Sequence, residues 1–159
     1  MVDACVFLAA ILDEPLTSKC NEYFKEIPER KICITPIIIE EVIRKLREDV
    51  KKDDMTSKST LIHKGKKIER DTLQAHLQVF FKLITSAELL LPRGNYQKYF
   101  EECKSLRLGD GINDMDQTNI ALTIDNNCAE FVTTDKNIWE DSKKIKRIND
   151  SNINIRLIK

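Results

Sequence analysis

The stretch Glu130-Phe-Val-Thr-Thr-Asp135, with the run Asp114-Met-Asp-Gln-Thr-Asn-Ile-Ala-Leu-Thr123 ahead of it, decides how the chain reads. Phe131 and Val132 form a short apolar run edged by threonines and closed by an acid, which predicts a buried strand over Glu130–Thr133. Upstream, residues 112–125 predict a helix, and downstream residues 137–148 predict another. A helix, a strand, an acid and a further helix in succession are the repeating unit of a parallel sheet with helical crossovers.

The alternation extends toward both ends of the chain. Val2 to Leu8 reads as a short buried strand, Leu16 to Glu26 as a helix capped by Thr17 or Ser18, and Ile32 to Thr35 as a second strand. Pro36 suits a first helical turn, and Ile38, Ile39, Val42, Ile43 and Leu46 give that helix an apolar stripe to about Val50. Lys51 to Lys67 is polar and unperiodic, so a polar, basic arm is expected over about 51–70. Leu73, Leu77, Phe80, Phe81 and Ile84 restore helical spacing across Asp71 to Thr85. Glu88 to Leu91 is a brief strand, and Tyr96 to Leu106 a helix with Tyr96, Tyr99, Phe100 and Cys103 inward. Ile153 to Ile158 is the last strand. The expectation is a single α/β domain over residues 1–159, with its site beyond the carboxyl ends of the strands.

Composition narrows the class. The 26 basic and 26 acidic residues cancel, so no global field advertises a nucleic-acid partner. Cys5, Cys20, Cys33, Cys103 and Cys128 are odd in number and lack any Cys-x-x-Cys pair, which argues against a disulfide framework and a zinc knuckle. The apolar run Ala4–Leu12 has no basic flank and is far shorter than a membrane span. A reducing cytoplasm, with no membrane partner, is the expected location.

Asp3, Glu41, Asp116 and Asp135 each sit at the edge of an apolar run, where a carboxylate is costly to bury unless bonded, paired or bound to a cation. Asp135 also suits a helix N-cap, Glu40 and Glu41 suit a helix first turn, and Asp110 and Asp114 suit turns and caps. Asp116 stands within a helix and Asp3 within the predicted strand, two places that Asp disfavours. Carboxylate oxygens without a His or Cys cluster suit Mg2+ or Mn2+. From Arg44 to Arg70 there are ten Lys or Arg against five Asp or Glu. Lys58, Lys64, Lys66, Lys67 and Arg70 are therefore candidate contacts for RNA phosphates, or equally a solvated arm. His63 and His76 are isolated and take no catalytic part.

The order and setting of the four acids resemble the PIN domain, a ribonuclease family that includes bacterial and archaeal toxins and ribosome-maturation endonucleases. Asp3-Ala-Cys5 matches the family's first Asp but carries Cys where Asn, Ser or Thr is usual, removing a secondary contact. Thr35 to Glu41 has the spacing of the family's helix acid, Asp116 to Ala121 that of its third acid, and Val132-Thr-Thr-Asp135 resembles its last strand. The resemblance implies a three-layer α/β/α sandwich with a mainly parallel central sheet. It implies metal-dependent hydrolysis of RNA phosphodiester bonds with Asp3, Glu41, Asp116 and Asp135 as catalytic metal ligands. Asp114 or Asp110 would stand as an outer ligand, and Thr133 or Thr134 would orient Asp135. It further implies a homodimer, an inhibitory antitoxin protein and the toxin role. The alternatives are a ribosomal-RNA processing nuclease, although its usual zinc ribbon is absent here, and a catalytically silent PIN-like module that binds RNA or protein.

Overall fold

In the computed structural model, residues 1–12, 14–26, 31–56, 62–92, 94–95, 112–143 and 153–159 are described, with 97, 99, 101, 103, 148, 150 and 151; for 49–56 and 62–70 the description is of the backbone alone. The elements run α1 (Ala4–Ile11), α2 (Thr17–Lys25), β1 (Cys33–Ile34), α3 (Pro36–Thr56), α4 (Ile62–Leu83), β2 (Glu88–Leu89), α5 (Asp114–Asp125), β3 (Glu130–Thr133), α6 (Lys136–Ser142) and β4 (Asn154–Leu157). Residues 97, 99, 101 and 103 are helical, with Tyr99 and Cys103 buried as expected. Tyr96 and Phe100 lie outside the described residues.

The fold is mixed α/β with short parallel strands. β1 pairs with β2, Cys33 opposite Glu88, and β3 pairs with β4, Glu130 opposite Asn154. Residues 1–3 join the two pairs. The Val2 N–H donates to the Cys33 carbonyl at 3.2 Å, the Val132 N–H to the Met1 carbonyl at 3.0 Å, and the Asp3 N–H to the Val132 carbonyl at 2.9 Å. Val2 and Val132 form a parallel bridge. Hydrogen bonds thus run from β2 through β1, residues 1–3 and β3 to β4, and the chain leaves residues 1–3 toward β1 on one side and β3 on the other. In such a row the crevice at the carboxyl ends, where the strand order reverses, is the natural site.

Val2–Leu8 is not a strand. Val2 makes one bridge, Asp3 turns the chain, and its carboxylate caps a helix by accepting from the Ala4 N–H at 2.7 Å. An apolar run of this length has no period to separate strand from helix, and α1 buries Ala4, Val6, Phe7, Ala9 and Ala10 on several faces. α2 is capped by neither Thr17 nor Ser18, since Leu16 holds the N-cap position without a side-chain bond. Residues 51–56 and 62–67 are the ends of α3 and α4 rather than an open arm, and residues 57–61 lie outside the described residues. A helix nucleated by the buried Ile38, Val42 and Leu46 propagates into polar sequence at little cost per residue, and the missing apolar stripe left no sign of it.

The core gathers around Phe7, whose ring lies 5.4 Å from that of Phe80 in a T-shaped pair and 5.2 Å from that of Phe24. Phe131, Ile38, Leu46, Ile120, Leu122 and Ile138 are fully buried beside it, each stabilising the fold by roughly 1.5–3 kcal/mol. Phe81 departs from the expected inward face and is 50% exposed. Among the described residues no helix is long and apolar enough to cross a membrane.

Candidate active site

Asp3 is the centre of the site. It follows Val2 at the carboxyl end of the row and is 4% exposed. The Cys5 thiol donates to its Oδ2 at 2.9 Å and the Thr133 hydroxyl donates to the same oxygen at 2.7 Å, while Oδ1 takes the Ala4 N–H. Burial pushes its carboxyl above the usual carboxylate range, these donors pull it back, and the charge of Asp135 pushes it up again. Cys5 does not leave the gap its substitution suggested. Its sulfur also accepts the Thr134 N–H at 3.2 Å, so the thiol takes a polar position between Asp3 and the end of β3. Burial and then Asp3 hold that thiol protonated.

Asp135 ends β3 on the neighbouring side. Its N–H donates to the Thr133 hydroxyl at 3.0 Å, and its carboxylate caps α6 by accepting the Asn137 N–H at 2.7 Å. The Thr133 hydroxyl is therefore a direct bridge between the two acids: it donates to the carboxylate of one and accepts from the backbone of the other. Thr133 meets Asp135 through the backbone N–H of that residue, and its bond to Asp3 is the part the sequence did not reveal.

Asp116 stands in the first turn of α5, half-buried, and the Asn113 side-chain amide donates to its Oδ2 at 2.7 Å. Asn113, not Asp114, is the N-cap, accepting the N–H groups of Met115 and Asp116. An Asn just ahead of Asp-Met-Asp is a favoured N-cap, so the signal was present. Asp116 is pushed up to about 7, by burial first and then by the charges of Asp3, Glu41 and Asp135. Glu41 on α3 is half-buried and also raised, by burial and then Asp3, with Arg44 and Lys45 opposing. Glu40 is exposed, and the two glutamates share a groove of about 570 Å3 with Ile37, Arg44, Asn113, Asp114 and Met115.

Thr35 and Asn119 fix α3 against α5. The Thr35 hydroxyl accepts the Ile38 N–H at 3.2 Å, capping α3, and donates to Asn119 Oδ1 at 2.8 Å. Asn119 lies one turn beyond Asp116 and is wholly buried, with its Nδ2 unpartnered among the described residues. A fully polar side chain on the buried face of an apolar helix was its sequence signal.

Asp116 thus lies within electrostatic reach of the other three acids, as Asp3 does of Asp135 and Glu41 of Asp3, and Asp114 is exposed beside Glu41 in the groove. Among the described residues no group of three or more His, Cys, Asp or Glu is drawn closely enough to hold a metal ion directly. The donor set consists of carboxylate oxygens, with no imidazole or thiolate aimed into it, which matches a hard divalent cation that keeps part of its water shell. Asp110 and Lys58 lie outside the described residues, as do the side chains of Lys64, Lys66, Lys67 and Arg70, whose backbone belongs to α4. Among the described residues, the positive charges of Arg44 and Lys45 are felt at Glu41. Protein-family models, curated proteins and solved structures were compared with the chain, and none matches it.

Proposed function

We propose that this chain is a metal-dependent endoribonuclease of PIN type, a three-layer α/β/α sandwich that hydrolyses RNA phosphodiester bonds with Mg2+ or Mn2+. The observation that carries the reading is the meeting of Asp3, Glu41, Asp116 and Asp135 at the carboxyl ends of parallel strands, with Asp116 pushed up by the other three after burial. Asp3, Glu41 and Asp116 resist ionising and Asp135 adds its charge at Asp3 and Asp116, so a cation bound there relieves the repulsion. Those four residues would hold the ion, with Asp114 at the rim. When bound, the cation polarises the phosphodiester and lowers the pKa of an attacking water.

The chain's own residues do the positioning. Ala4 N–H, the Cys5 thiol and the Thr133 hydroxyl fix both oxygens of Asp3. Asn113 holds Asp116 Oδ2 through its side-chain amide. Arg44 lines the groove beside Glu41 and, with Lys45, offsets the repulsion between acidic pocket and RNA backbone. The N-termini of α1 and α6, at Asp3 and Asp135, add partial positive charge. The toxin role, with an antitoxin as inhibitory partner, is the proposed setting, and Val79 and Phe81, exposed on α4, offer apolar surface for a homodimer.

The test is cleavage of a mixed pool of structured RNAs with Mg2+ or Mn2+ against chelator. Metal-dependent cuts are expected from the wild type, reduced roughly 100-fold or more, about 2.7 kcal/mol, in Asp116→Asn and Asp135→Asn. Equal background in all three proteins would remove the nuclease reading.

A further inference from the structure

The opposite end of the strand row carries a second cluster that the acids do not use. Cys33, at the start of β1, and Cys128, two residues before β3, line one cavity of about 720 Å3 together with Met1, Lys31, Glu88 and Asn154. Residues 1–3 run between the two strands, held by the Val2 N–H on the Cys33 carbonyl at 3.2 Å and the Met1 amino group on the Glu130 carbonyl at 2.8 Å. Both thiols are free and half-buried, whereas Cys20 and Cys103 are buried in the core.

For each thiol the other is the strongest electrostatic neighbour. The pair shares its protons unequally. Cys33 is held protonated, by Cys128 and then by burial. Cys128 is driven toward thiolate, by Cys33 first and also by the Met1 ammonium, against burial and Glu88. A thiolate that opens onto a cavity is the reactive form, and a second thiol beside it is the usual means of resolving its oxidised product.

We propose that Cys33 and Cys128 form a redox-active dithiol in which Cys128 is oxidised by a hydroperoxide and Cys33 closes the pair as a disulfide. In the first step the Cys128 sulfur attacks a peroxide oxygen and the O–O bond breaks. A sulfenic acid forms, and the second oxygen leaves as hydroxide or alkoxide and takes a proton from solvent to become water or an alcohol. In the second step the Cys33 sulfur attacks the sulfenic sulfur, the S–S bond forms, the S–O bond breaks, and the hydroxyl leaves as water with the Cys33 proton. The two sulfurs lose two electrons in total, and these reduce the O–O bond. Closure needs the two Cα atoms within about 7 Å. Cys128 lies between α5 and β3 rather than within a strand ladder, so its backbone can adjust without breaking sheet hydrogen bonds. This inference does not depend on the nuclease reading.

The experiment treats the reduced full-length protein with hydrogen peroxide near stoichiometry, blocks the remaining thiols by alkylation, and maps the products by mass spectrometry. Loss of two of the five alkylatable thiols is expected, with a Cys33–Cys128 peptide that dithiothreitol releases. Cys33→Ser should leave a sulfenic acid on Cys128 that dimedone traps, and Cys128→Ser should react at least tenfold more slowly. Retention of five alkylated thiols, a bridge through Cys5, Cys20 or Cys103, or oxidation of Cys128 to sulfinic acid without a bridge would each overturn the proposal. The wild-type peptide map decides even if a serine variant fails to fold.

Discussion

Asp3 and Asp135 stand one and three residues beyond the Val2–Val132 bridge, both as helix caps, and carry different loads. Asp3 is buried and accepts from Ala4, Cys5 and Thr133, whereas Asp135 is half-exposed and accepts from Asn137. The difference teaches that one local motif, strand then Asp then helix, serves two purposes according to burial. Asp135 is a cap that faces the site, and Asp3 is also the point to which the fold's polar interior is tied.

The widest separation between the two should come from alanine. Asp3→Ala removes a cap and leaves buried donors on Cys5 and Thr133 unsatisfied, so a loss of about 2–4 kcal/mol is expected in denaturant titration with chelator present. Asp135→Ala should cost about 1 kcal/mol, the worth of its cap, and Asp135→Asn close to nothing. Equal losses for the two alanine variants would break the comparison.

Thr133→Val sharpens it by cutting the bridge while keeping the shape. A loss of about 1–3 kcal/mol in stability is expected, with RNA cleavage down roughly 10–100-fold because Asp3 and the start of α6 lose their common support. In a double-mutant cycle with Asp3→Asn the two changes should couple by about 0.5–3 kcal/mol. Simple additivity would mean that the bridge carries no energy.

The smallest effect is the pH dependence contributed by Asp116, which belongs to neither strand end. Its folded-state pKa of about 7 lies above the ordinary carboxylate range, so the folded protein holds a proton that the unfolded chain has already lost. That contribution to stability is present in acid and is lost as pH rises toward and through 7. In chelator, thermal unfolding should therefore occur at lower temperature at pH 8 than at pH 5.5, by a few degrees (a 1 kcal/mol change is about 2–4 °C at this size). Asp116→Asn should flatten part of the slope, leaving the share due to Asp3 and Glu41, which are raised as well. A steeper slope in the variant would contradict the mutual repulsion of the four acids.

The sequence revealed most where charge and apolar pattern coincide. Glu130–Thr133 is a strand over the expected residues, α5 fills most of 112–125, and Glu41 rather than Glu40 faces Asp3. It was mute where period is missing, as in the ends of α3 and α4, and ambiguous where a short apolar run suits two conformations, as in Val2–Leu8. Phe80 and Phe81 show a further limit, since adjacent residues lie about 100° apart on a helix and only Phe80 reaches the core. Within the site the acids stand out because charge is conspicuous beside apolar neighbours. The hydroxyl of Thr133 and the Thr35–Asn119 pair act through bonds to residues far along the chain, so local pattern does not show what they hold, whereas Asn113 caps its own helix and is marked by its place.

The hydrogen bonds of residues 1–3 to Cys33 and to the 130–132 strand also bear on the order of assembly. A nascent chain emerges from its beginning, and the partner of Val2 on β3 follows 130 residues later. Contacts of such separation place folding toward the slow end for its class, and the middle of the strand row stays open until β3 is free to dock. Asp3 and Asp135 meet in the same event. For the proposed nuclease this delays assembly of the site until β3 has been made, so that Asp3 stands apart from Asp135 until then.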